Sequence, residues 1–294
     1  MKDPFPFYSI GHFINEPSNP TEFEITRFQE MEEPDVEDLH KHTFYEIIWI
    51  DEGMCRQVID YQSYQVSSRT LFFISPGQLH EFEEWQRAAG GSILFTEDFF
   101  LLNQQDKDKL FELSFLDNFY GNPCLKPDPE SYVEIRQTID LLATERRRGN
   151  PAQSIQQAFL HILLSQIQRC IDAQTKEVVP KKYTILYKRF KKLIDAHFQA
   201  SLTASDYAAR LHITPHHLNY VAKRVTGKTA GAVIRARSVL EAKRLLTFAD
   251  FTVTEIAARL GFFDSSYFAK LFKSETGVSP VEFRKSMSEK YRTR

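Results

Sequence analysis

The feature that most constrains this 294-residue chain is an internal repeat near its carboxyl end. The segment Thr203–Leu211 aligns with Thr252–Leu260. Each begins with a threonine, has an acidic residue three positions later and continues into Ala-Ala-Arg-Leu. Threonine followed at that spacing by a carboxylate is typical of a capping box, which satisfies the free amide groups at a helix start. The repeat therefore predicts two short helices whose small alanines let a second helix pack closely.

A turn and a second helix follow in both copies. The turn starts at His212 in the first copy and at Gly261 in the second, where glycine suits the end of a helix. Thr214 and Asp264 are good N-cap residues for the second helices. A helix, a short turn and a helix form the helix-turn-helix arrangement, whose second helix fits the major groove of DNA, about 12 Å wide.

The stretch between the copies predicts one connecting helix, about 232–248, between units at about 203–225 and 252–276. Its apolar residues spaced for burial are Val239, Ala242, Leu245 and Leu246. The most regular part of this stretch, Arg235 to Phe248, has about 14 residues and would span about 20 Å. Together with the breadth of the flanking helices, this length would place the two second helices in successive major grooves about 34 Å apart.

Charge divides the chain at the same place. Residues 1–180 hold 15 Lys+Arg and 30 Asp+Glu, whereas residues 181–294 hold 22 Lys+Arg and 9 Asp+Glu. The formal charge is therefore -15 in the first segment and +13 in the second, within a total of -2. A basic module joined to an acidic one favours a polyanionic partner for the basic module alone.

A specific residue pattern runs through the second copy and beyond it. It consists of Ile256-Ala257, Gly261-Phe262, Ser266-Tyr267-Phe268, Phe272-Lys273, Gly277-Val278-Ser279-Pro280 and Phe283-Arg284. With this pattern, residues 185–285 resemble the DNA-binding domain of the AraC/XylS family. The resemblance implies two helix-turn-helix units bridged by one helix, and transcription regulation that is often activation. We expect a DNA-binding domain at about 185–290 after a linker at 176–184, promoter DNA as its partner, and RNA polymerase as a further partner.

Exposed residues early in each second helix are expected to face base edges. They are His216, Asn219, Tyr220 and Lys223 in the first copy and Ser265, Ser266, Tyr267 and Lys270 in the second. Asparagine can pair with adenine through two hydrogen bonds, and lysine can reach the acceptors of guanine. Lys223 is also a candidate for phosphate contact, with Arg224 and Lys273, because such contacts position a protein without reading sequence.

The first part of the chain is typical of β-structure. Runs rich in aromatic and β-branched residues, such as Thr43–Ile50, Arg56–Asp60 and Leu71–Ile74, are separated by turn residues. Many short strands at this spacing, over about 20–95, predict a sandwich or barrel.

Helical periodicity follows over about 97–172. The apolar residues of a helix at about 128–148 are Tyr132, Ile135, Ile139 and Leu142. Those of a second helix at about 152–172 are Ile155, Phe159, Ile162, Leu163 and Ile167. Two antiparallel helices of this length would cover the open side of a barrel, form a homodimer interface through 128–172, or do both.

Histidine and glutamate residues recur among the predicted strands. Because alternate residues of a strand share a face, His40, His42 and Glu46 are expected together, and His80 from another strand would complete the set. Three imidazoles and one carboxylate suit Fe(II), Mn(II), Ni(II) or Zn(II). The pattern resembles the motifs of metal-binding cupins, except that Glu84 stands where they usually carry asparagine.

Two interpretations of these four residues remain open. Sensor domains of the AraC type keep similar positions without a metal, so the resemblance implies a cupin-like effector-binding and dimerisation domain over 1–175. His40, His42, Glu46 and His80 would then contact a small-molecule effector. The alternative is a cupin metal-dependent enzyme fused to a DNA-binding module, with the same residues holding the metal. We expect the first: a ligand-responsive transcription regulator without cofactor, bound metal or catalytic residues.

The expected fold is therefore a multidomain α+β chain. It has an N-terminal cupin-like β-barrel with a helical hairpin and a C-terminal all-α domain with two helix-turn-helix motifs. No apolar run approaches the ~20 residues that cross a bilayer, and no secretory signal is visible at the start. Cys55, Cys124 and Cys170 form no CxxC pair, which argues against a disulfide framework. These features favour a cytoplasmic protein with no membrane partner.

Overall fold

The computed structural model divides the chain into two compact units, built on Phe5–Val178 and Val179–Arg294. The residues that it describes are 6–32, 36, 39–102, 109–116, 123–174 and 179–291. Within them, no helix is both long enough and apolar enough to cross a membrane.

The first unit combines strands with four helices in its described part. The strands are β1 Phe7–Tyr8, β2 Phe23–Arg27, β3 Lys41–His42, β4 Tyr45–Glu52, β5 Met54–Ile59, β6 Gln62–Ser67, β7 Thr70–Ile74, β8 His80–Glu83, β9 Ala89–Phe95 and β10 Cys124–Leu125. The helices are α1 Ile10–Phe13, α2 Glu97–Leu101, α3 Pro129–Arg146 and α4 Gln153–Gln174.

The longer strands form two antiparallel sheets. One has the order β10-β7-β4-β9-β2, the other has the order β6-β5-β8, and β1 pairs in parallel with β3. The predicted α+β class, with a β-rich first unit, is confirmed, but the barrel is corrected to separate sheets, with no closed cylinder among the described strands. Residue types indicate where strands lie but not which strand edges pair. The strand pattern therefore could not predict whether the sheets close into a barrel.

Strand β4 shows why the two sheets stack. Ile47 and Trp49 belong to the core shared with the helices, whereas Ile48 and Ile50 belong to the core shared with the three-stranded sheet. Alternate side chains of a strand point to opposite faces, so β4 is buried on both sides. The five-stranded sheet is therefore a middle layer, with helices on one face and the smaller sheet on the other.

Helices α3 and α4 pack on each other and join that core. The buried residues of α4 include Leu160, Leu163, Leu164, Ile167 and Cys170. The predicted apolar side was partly wrong, because Ile155 and Ile162 are 43% and 49% exposed. A helix with apolar residues on more than one face leaves the choice of buried face to packing, which periodicity alone does not determine.

The second unit is helical throughout its described part. Its helices are α5 Lys181–His197, α6 Ala204–Arg210, α7 Pro215–Thr226, α8 Ala230–Phe248, α9 Val253–Arg259, α10 Ser265–Thr276 and α11 Pro280–Tyr291. Helix α5 begins inside the stretch predicted as linker, 176–184, so positions 181–184 are helical. Positions 176–178 lie outside the described residues.

Helix α8 is the connecting helix. The four residues predicted to be buried, Val239, Ala242, Leu245 and Leu246, are buried, which confirms that expectation. The helix has 19 residues and begins at Ala230, earlier than predicted, because the side chain of Thr229 accepts a hydrogen bond from the N–H of Ala232. It packs against both α7 and α10.

Candidate functional site

The two helix-turn-helix units are built on the same backbone plan. In the first, the Asp206 N–H donates to the Thr203 hydroxyl at 3.3 Å, and the Thr203 N–H donates to the Asp206 carboxylate at 2.7 Å. In the second, Thr252 and Glu255 make the corresponding bonds at 3.2 and 2.7 Å. The carboxylate of Asp206 accepts hydrogen bonds from the Thr203 hydroxyl and N–H, and that of Glu255 accepts them from the Thr252 N–H and hydroxyl. These bonds lower the pKa of both carboxyl groups, because only the charged form accepts them fully. Both predicted capping boxes are confirmed.

The turns match as closely as the caps. The Ile213 N–H donates to the Ala208 carbonyl at 3.0 Å, and the Phe262 N–H donates to the Ala257 carbonyl at 2.9 Å. Each turn needs one residue in the left-handed region, which is His212 with φ +56° in one copy and Gly261 with φ +80° in the other. The second helices α7 and α10 therefore leave their turns in equivalent ways.

The side chains proposed to face DNA lie mostly on the surface. Those that are exposed are His216, Tyr220, Lys223, Arg224, Ser266, Tyr267, Lys270 and Lys273, and those that are half-buried are Asn219 and Ser265. On the opposite face, Leu218 and Val221 of α7 and Phe268 and Phe272 of α10 are buried. Each second helix is thus anchored by apolar residues and presents polar ones outward.

Two of the predicted base-contacting residues also take part in the fold. The side-chain oxygen of Asn219 accepts a hydrogen bond from the Ala230 N–H at 2.9 Å, which leaves the NH2 group of the amide as its remaining donor. The ring of Tyr220 packs edge-on against Tyr183 of α5, with centroids 5.6 Å apart. The repeat alone gave no sign of either contact, because both partners lie outside the helix-turn-helix unit.

Phe263 was part of the predicted turn but was not recognised as a candidate contact. Its side chain is fully exposed, next to Asp264, the N-cap of α10. No signal in the sequence distinguished Phe263 from Phe262, because single exposed apolar residues are ordinary on protein surfaces.

Two residues of the sequence pattern, Phe283 and Arg284, hold α11 against the neighbouring helices. Phe283 is buried against Phe272, with ring centroids 5.5 Å apart. The Arg284 guanidinium donates to the Leu246 carbonyl at 3.1 Å, near the end of α8, and to the Phe251 carbonyl. Helix α11 therefore fixes α10 against the connecting helix.

A cavity of about 410 Å³ lies in the first unit between the two sheets. Glu24 and Thr26 of β2, Glu46 of β4, and Ser92 and Leu94 of β9 line it from the five-stranded sheet. These residues share one face of that sheet, because they alternate along their strands. Further lining residues are Phe13, Phe28, Glu30, Glu32, His40, His80, Phe82 and Trp85. Ile14, Asn15, Met31 and Val36 complete the lining. The wall thus combines aromatic, aliphatic and carboxylate groups, and neither lysine nor arginine is among its described lining residues.

Three of the four predicted histidine and glutamate residues converge at one end of this cavity. His42 Nε2 and His80 Nε2 lie 3.6 and 3.8 Å from the same carboxylate oxygen of Glu46. One ligand atom from each of the three side chains falls within 4.8 Å of the others. They do not share a continuous strand as expected, since the chain bends at 43–44 between β3 and β4.

The environment of His80 defines its protonation. Its Nδ1 lies 3.2 Å from the Gln78 carbonyl, which can only accept, so Nδ1 carries the hydrogen. Burial, reinforced by the neighbouring His40 and His42, lowers the pKa of His80 well below its ordinary value. The neutral form of His80 is therefore favoured, with its lone pair on Nε2, which lies 3.8 Å from a carboxylate oxygen of Glu46.

The other two residues of the predicted motif, His40 and Glu84, differ in whether they lie near the cluster. The ring of His40 lies beside the cluster, 4.4 Å from the His80 ring between centroids. Glu84 is exposed and forms an ion pair with Arg87 at 3.5 Å, so it contributes nothing to the cluster. The residue in which the sequence departs from metal-binding cupins therefore has no part in this site.

Comparison with known families gives a match for each unit. Residues 25–166 match the model of an AraC-like ligand binding domain, and residues 207–286 match the model of a helix-turn-helix domain. The first match contains most of the residues that line the cavity, including its histidines, and the second contains α7 through α10.

Individual relatives are distant but extensive. The HTH-type transcriptional activator RhaR of Cronobacter sakazakii is 25% identical over 256 residues, which cover 83% of this chain and 86% of that protein. The HTH-type transcriptional activator RhaS of Salmonella schwarzengrund is 23% identical over 245 residues, with 83% and 86% covered. The solved structure of ToxT from Vibrio cholerae O395 has 15% identity and a TM-score of 0.40, and the alignment covers 91% of this chain and 95% of that one. A score of that size adds nothing to the assignment.

Proposed function

The chain belongs to the AraC/XylS family of transcription regulators, and from this premise we propose that it binds promoter DNA by inserting α7 and α10 into successive major grooves. The observation that carries the proposal is the equivalence of the two units, which present polar starts of matching helices from one basic module. A rigid connector supports this geometry, since the 19 residues of α8 extend over about 28 Å. Successive major grooves are about 34 Å apart.

We assign base contacts to His216, Asn219 and Tyr220 of α7 and to Ser265, Ser266, Tyr267 and Lys270 of α10. The positions rest on exposure at the starts of the two helices. Phe263 joins this set, because an exposed phenyl ring beside α10 suits the methyl group of thymine. Phosphate contacts are assigned to Lys223, Arg224 and Lys273, which project from the middle and later parts of the helices.

Selection from a random DNA pool with the full chain tests this proposal. We expect an enriched motif with two half-sites about 10 base pairs apart, centre to centre. A Lys270→Ala variant should lose preference at one position of one half-site. A motif with a single half-site, or no enrichment at low salt, would contradict the two-groove arrangement.

The effector is proposed to bind in the cavity between the sheets, against Glu46, His40 and His80. Its acidic and aromatic wall favours a small molecule with cationic or hydroxyl groups and an apolar face. Thermal unfolding of the full chain with panels of cationic, neutral polyhydroxylated and anionic small molecules tests this. Stabilisation by the first two panels is expected, and it should be lost when Ser92→Trp fills the cavity wall. Stabilisation by anions alone would contradict it.

The relatives suggest whether the protein activates or represses transcription. Because RhaR and RhaS are named transcriptional activators, we propose activation, with RNA polymerase as a protein partner and the cytoplasm as the compartment. We assign no catalytic reaction to the first unit. A promoter-reporter assay with the selected motif would show increased transcription if the sign is right and decreased transcription if it is wrong.

A homodimer is proposed through the outer face of α3 and α4. Val133 and Leu141 on α3, and Ile155 and Ile162 on α4, are large apolar residues between 43% and 55% exposed. Their spacings of eight and seven residues place each pair along one stripe of its helix. A second copy of the chain is the partner that would bury this stripe.

Analytical ultracentrifugation of the full chain tests the dimer. The double variant Leu141→Glu with Ile162→Glu should sediment as a monomer, whereas Gln153→Glu, which adds a charge at the exposed start of α4, should leave the dimer intact. A wild-type monomer at micromolar concentration, or a double variant that still dimerises, would contradict this interface.

A further inference from the structure

We propose that the first unit holds one divalent transition-metal ion, bound by His42, Glu46 and His80 at the end of the cavity. The ion would be a resident part of the sensor unit. This proposal departs from the expectation of a site without metal, and it deepens the proposed effector site, with which the ion would share Glu46 and His80.

The donor geometry carries the proposal. Donor atoms about 2.0–2.2 Å from a common ion lie about 2.8–3.6 Å from their neighbours in octahedral or tetrahedral sites. His42 Nε2 and His80 Nε2 lie 3.6 and 3.8 Å from Glu46 Oε2, which is too far for hydrogen bonds but within a few tenths of an ångström of that spacing. Two imidazole nitrogens thus lie near one carboxylate oxygen without a hydrogen bond to it, and one donor atom from each of the three side chains falls within 4.8 Å of the others.

His42 supplies a second, independent observation. Its side chain is 0% exposed, and neither of its ring nitrogens has a hydrogen-bond partner among the described residues. A buried polar atom without a partner costs free energy, so such atoms are rare unless they bind something. A metal ion would satisfy Nε2 directly.

His80 is oriented as a metal ligand would be. Its Nδ1–H donates to the Gln78 carbonyl, which fixes the ring and leaves Nε2 free to coordinate. Histidine ligands almost always donate their second N–H to a carbonyl or carboxylate in this way. Gln78 is itself held, because its side-chain oxygen accepts a hydrogen bond from the Ser75 N–H at 2.7 Å.

The surroundings select the class of ion. Two imidazoles and one carboxylate, with a third imidazole from His40 beside them, suit Zn(II), Ni(II), Fe(II) or Mn(II) better than Ca(II) or Mg(II). The glutamates among the cavity-lining residues also favour a cation. Because Glu46 and His80 line the cavity, the bound ion would offer a coordination position to an oxygen atom of the effector.

The test uses full-length protein, freed of any affinity tag and treated with EDTA. After dialysis against micromolar Zn(II), Ni(II), Fe(II) or Mn(II), we expect about one equivalent of metal per chain by mass spectrometry for at least one of these ions. With Co(II) as a probe, d–d absorption bands should report nitrogen and oxygen ligands. His42→Ala, Glu46→Gln and His80→Ala should each weaken binding by at least ~100-fold.

Matched controls separate loss of ligands from loss of fold. His12→Ala and His161→Ala remove histidines outside the cluster and should leave metal uptake unchanged. Glu46→Gln is nearly isosteric, so retained near-ultraviolet circular dichroism without metal uptake would assign its effect to coordination. Sub-stoichiometric uptake of all four ions by wild-type protein, or uptake that persists in His42→Ala and Glu46→Gln, would overturn the proposal. Neither result would affect the assignment of the DNA-binding helices, which lie in the other unit.

Discussion

The side-chain oxygen of Asn219 accepts a hydrogen bond from the backbone N–H of Ala230, at 2.9 Å. The bond joins α7, which is proposed to enter the major groove, to the first residue of the connecting helix. One residue therefore positions the recognition helix with its oxygen and keeps its NH2 group for a base.

These two roles of Asn219 can be separated by substitution. Asn219→Asp keeps the acceptor for Ala230 and should change the free energy of unfolding little, but it loses the donor to adenine and should weaken specific DNA binding. Asn219→Ala should lose both, with a destabilisation of about 1 kcal/mol. Denaturant unfolding and fluorescence anisotropy with the selected site measure the two effects. Equal losses of affinity and stability in both variants would contradict the division of roles.

Gly261 is predicted to tolerate substitution less well than Gly277. Both have positive φ, +80° and +83°, so alanine at either position should cost about 1 kcal/mol. A Cβ at 261 would also lie 2.5 Å from the Gln199 carbonyl oxygen, whereas one at 277 meets nothing within 4 Å. We therefore expect Gly261→Ala to destabilise the fold at least twice as much as Gly277→Ala. Thermal unfolding of both variants checks this, and equal shifts in Tm would contradict it.

The capping carboxylate of Glu255 predicts a pH dependence. Its pKa is lowered from 4.5 by the hydrogen bonds from the Thr252 N–H and hydroxyl group. The stabilisation is therefore present above the unfolded-state pKa and is lost as the pH falls through the lower folded-state value. Glu255→Gln should be less stable than wild type at pH 7, and the difference should shrink toward pH 3.5. Denaturant unfolding at the two pH values measures this, and a constant difference would argue against the charged cap.

Lys270 and Lys273 are predicted to contact different parts of DNA, a base edge and a phosphate respectively. Lys270→Ala should lower discrimination at one base pair by ~1–3 kcal/mol, because a contact to a base edge is lost. Lys273→Ala should weaken binding to all sequences alike and reduce the slope of log K against log salt by about one. Binding isotherms with matched and mismatched duplexes at several salt concentrations distinguish them. An altered base preference with an unchanged salt slope in Lys273→Ala would reverse the assignment.

Phe263 is predicted to matter for DNA and not for folding. Because the side chain is fully exposed, Phe263→Ala should change stability by no more than about 0.5 kcal/mol. Loss of an apolar contact with a thymine methyl should weaken specific binding by about three- to tenfold. Phe263→Leu serves as the control that retains an apolar contact. Unchanged affinity in Phe263→Ala would remove this residue from the interface.

Much of the second unit was predictable because its signals are local. The capping boxes at Thr203 and Thr252 lie within four residues of sequence, and the structure confirms both. The longer reach of Asn219 to Ala230, and of Arg284 to Leu246, was not predictable. Those bonds depend on how the helices pack, and the sequence pattern of one helix does not show which residues of another helix it will contact.

In the first unit, too, local features were predictable from the sequence, whereas contacts between distant residues were not. The sequence alone determined the strand-rich composition, the paired helices and the spacing of His40, His42, Glu46 and His80. Only the tertiary structure decided that the sheets stay separate, that Ile155 and Ile162 face outward, and that His42, Glu46 and His80 converge while Glu84 points away. The physical reason is that periodicity determines on which face of a helix or strand a side chain lies. Which other element packs against that face depends on the pairing of distant strands and on the burial of apolar area.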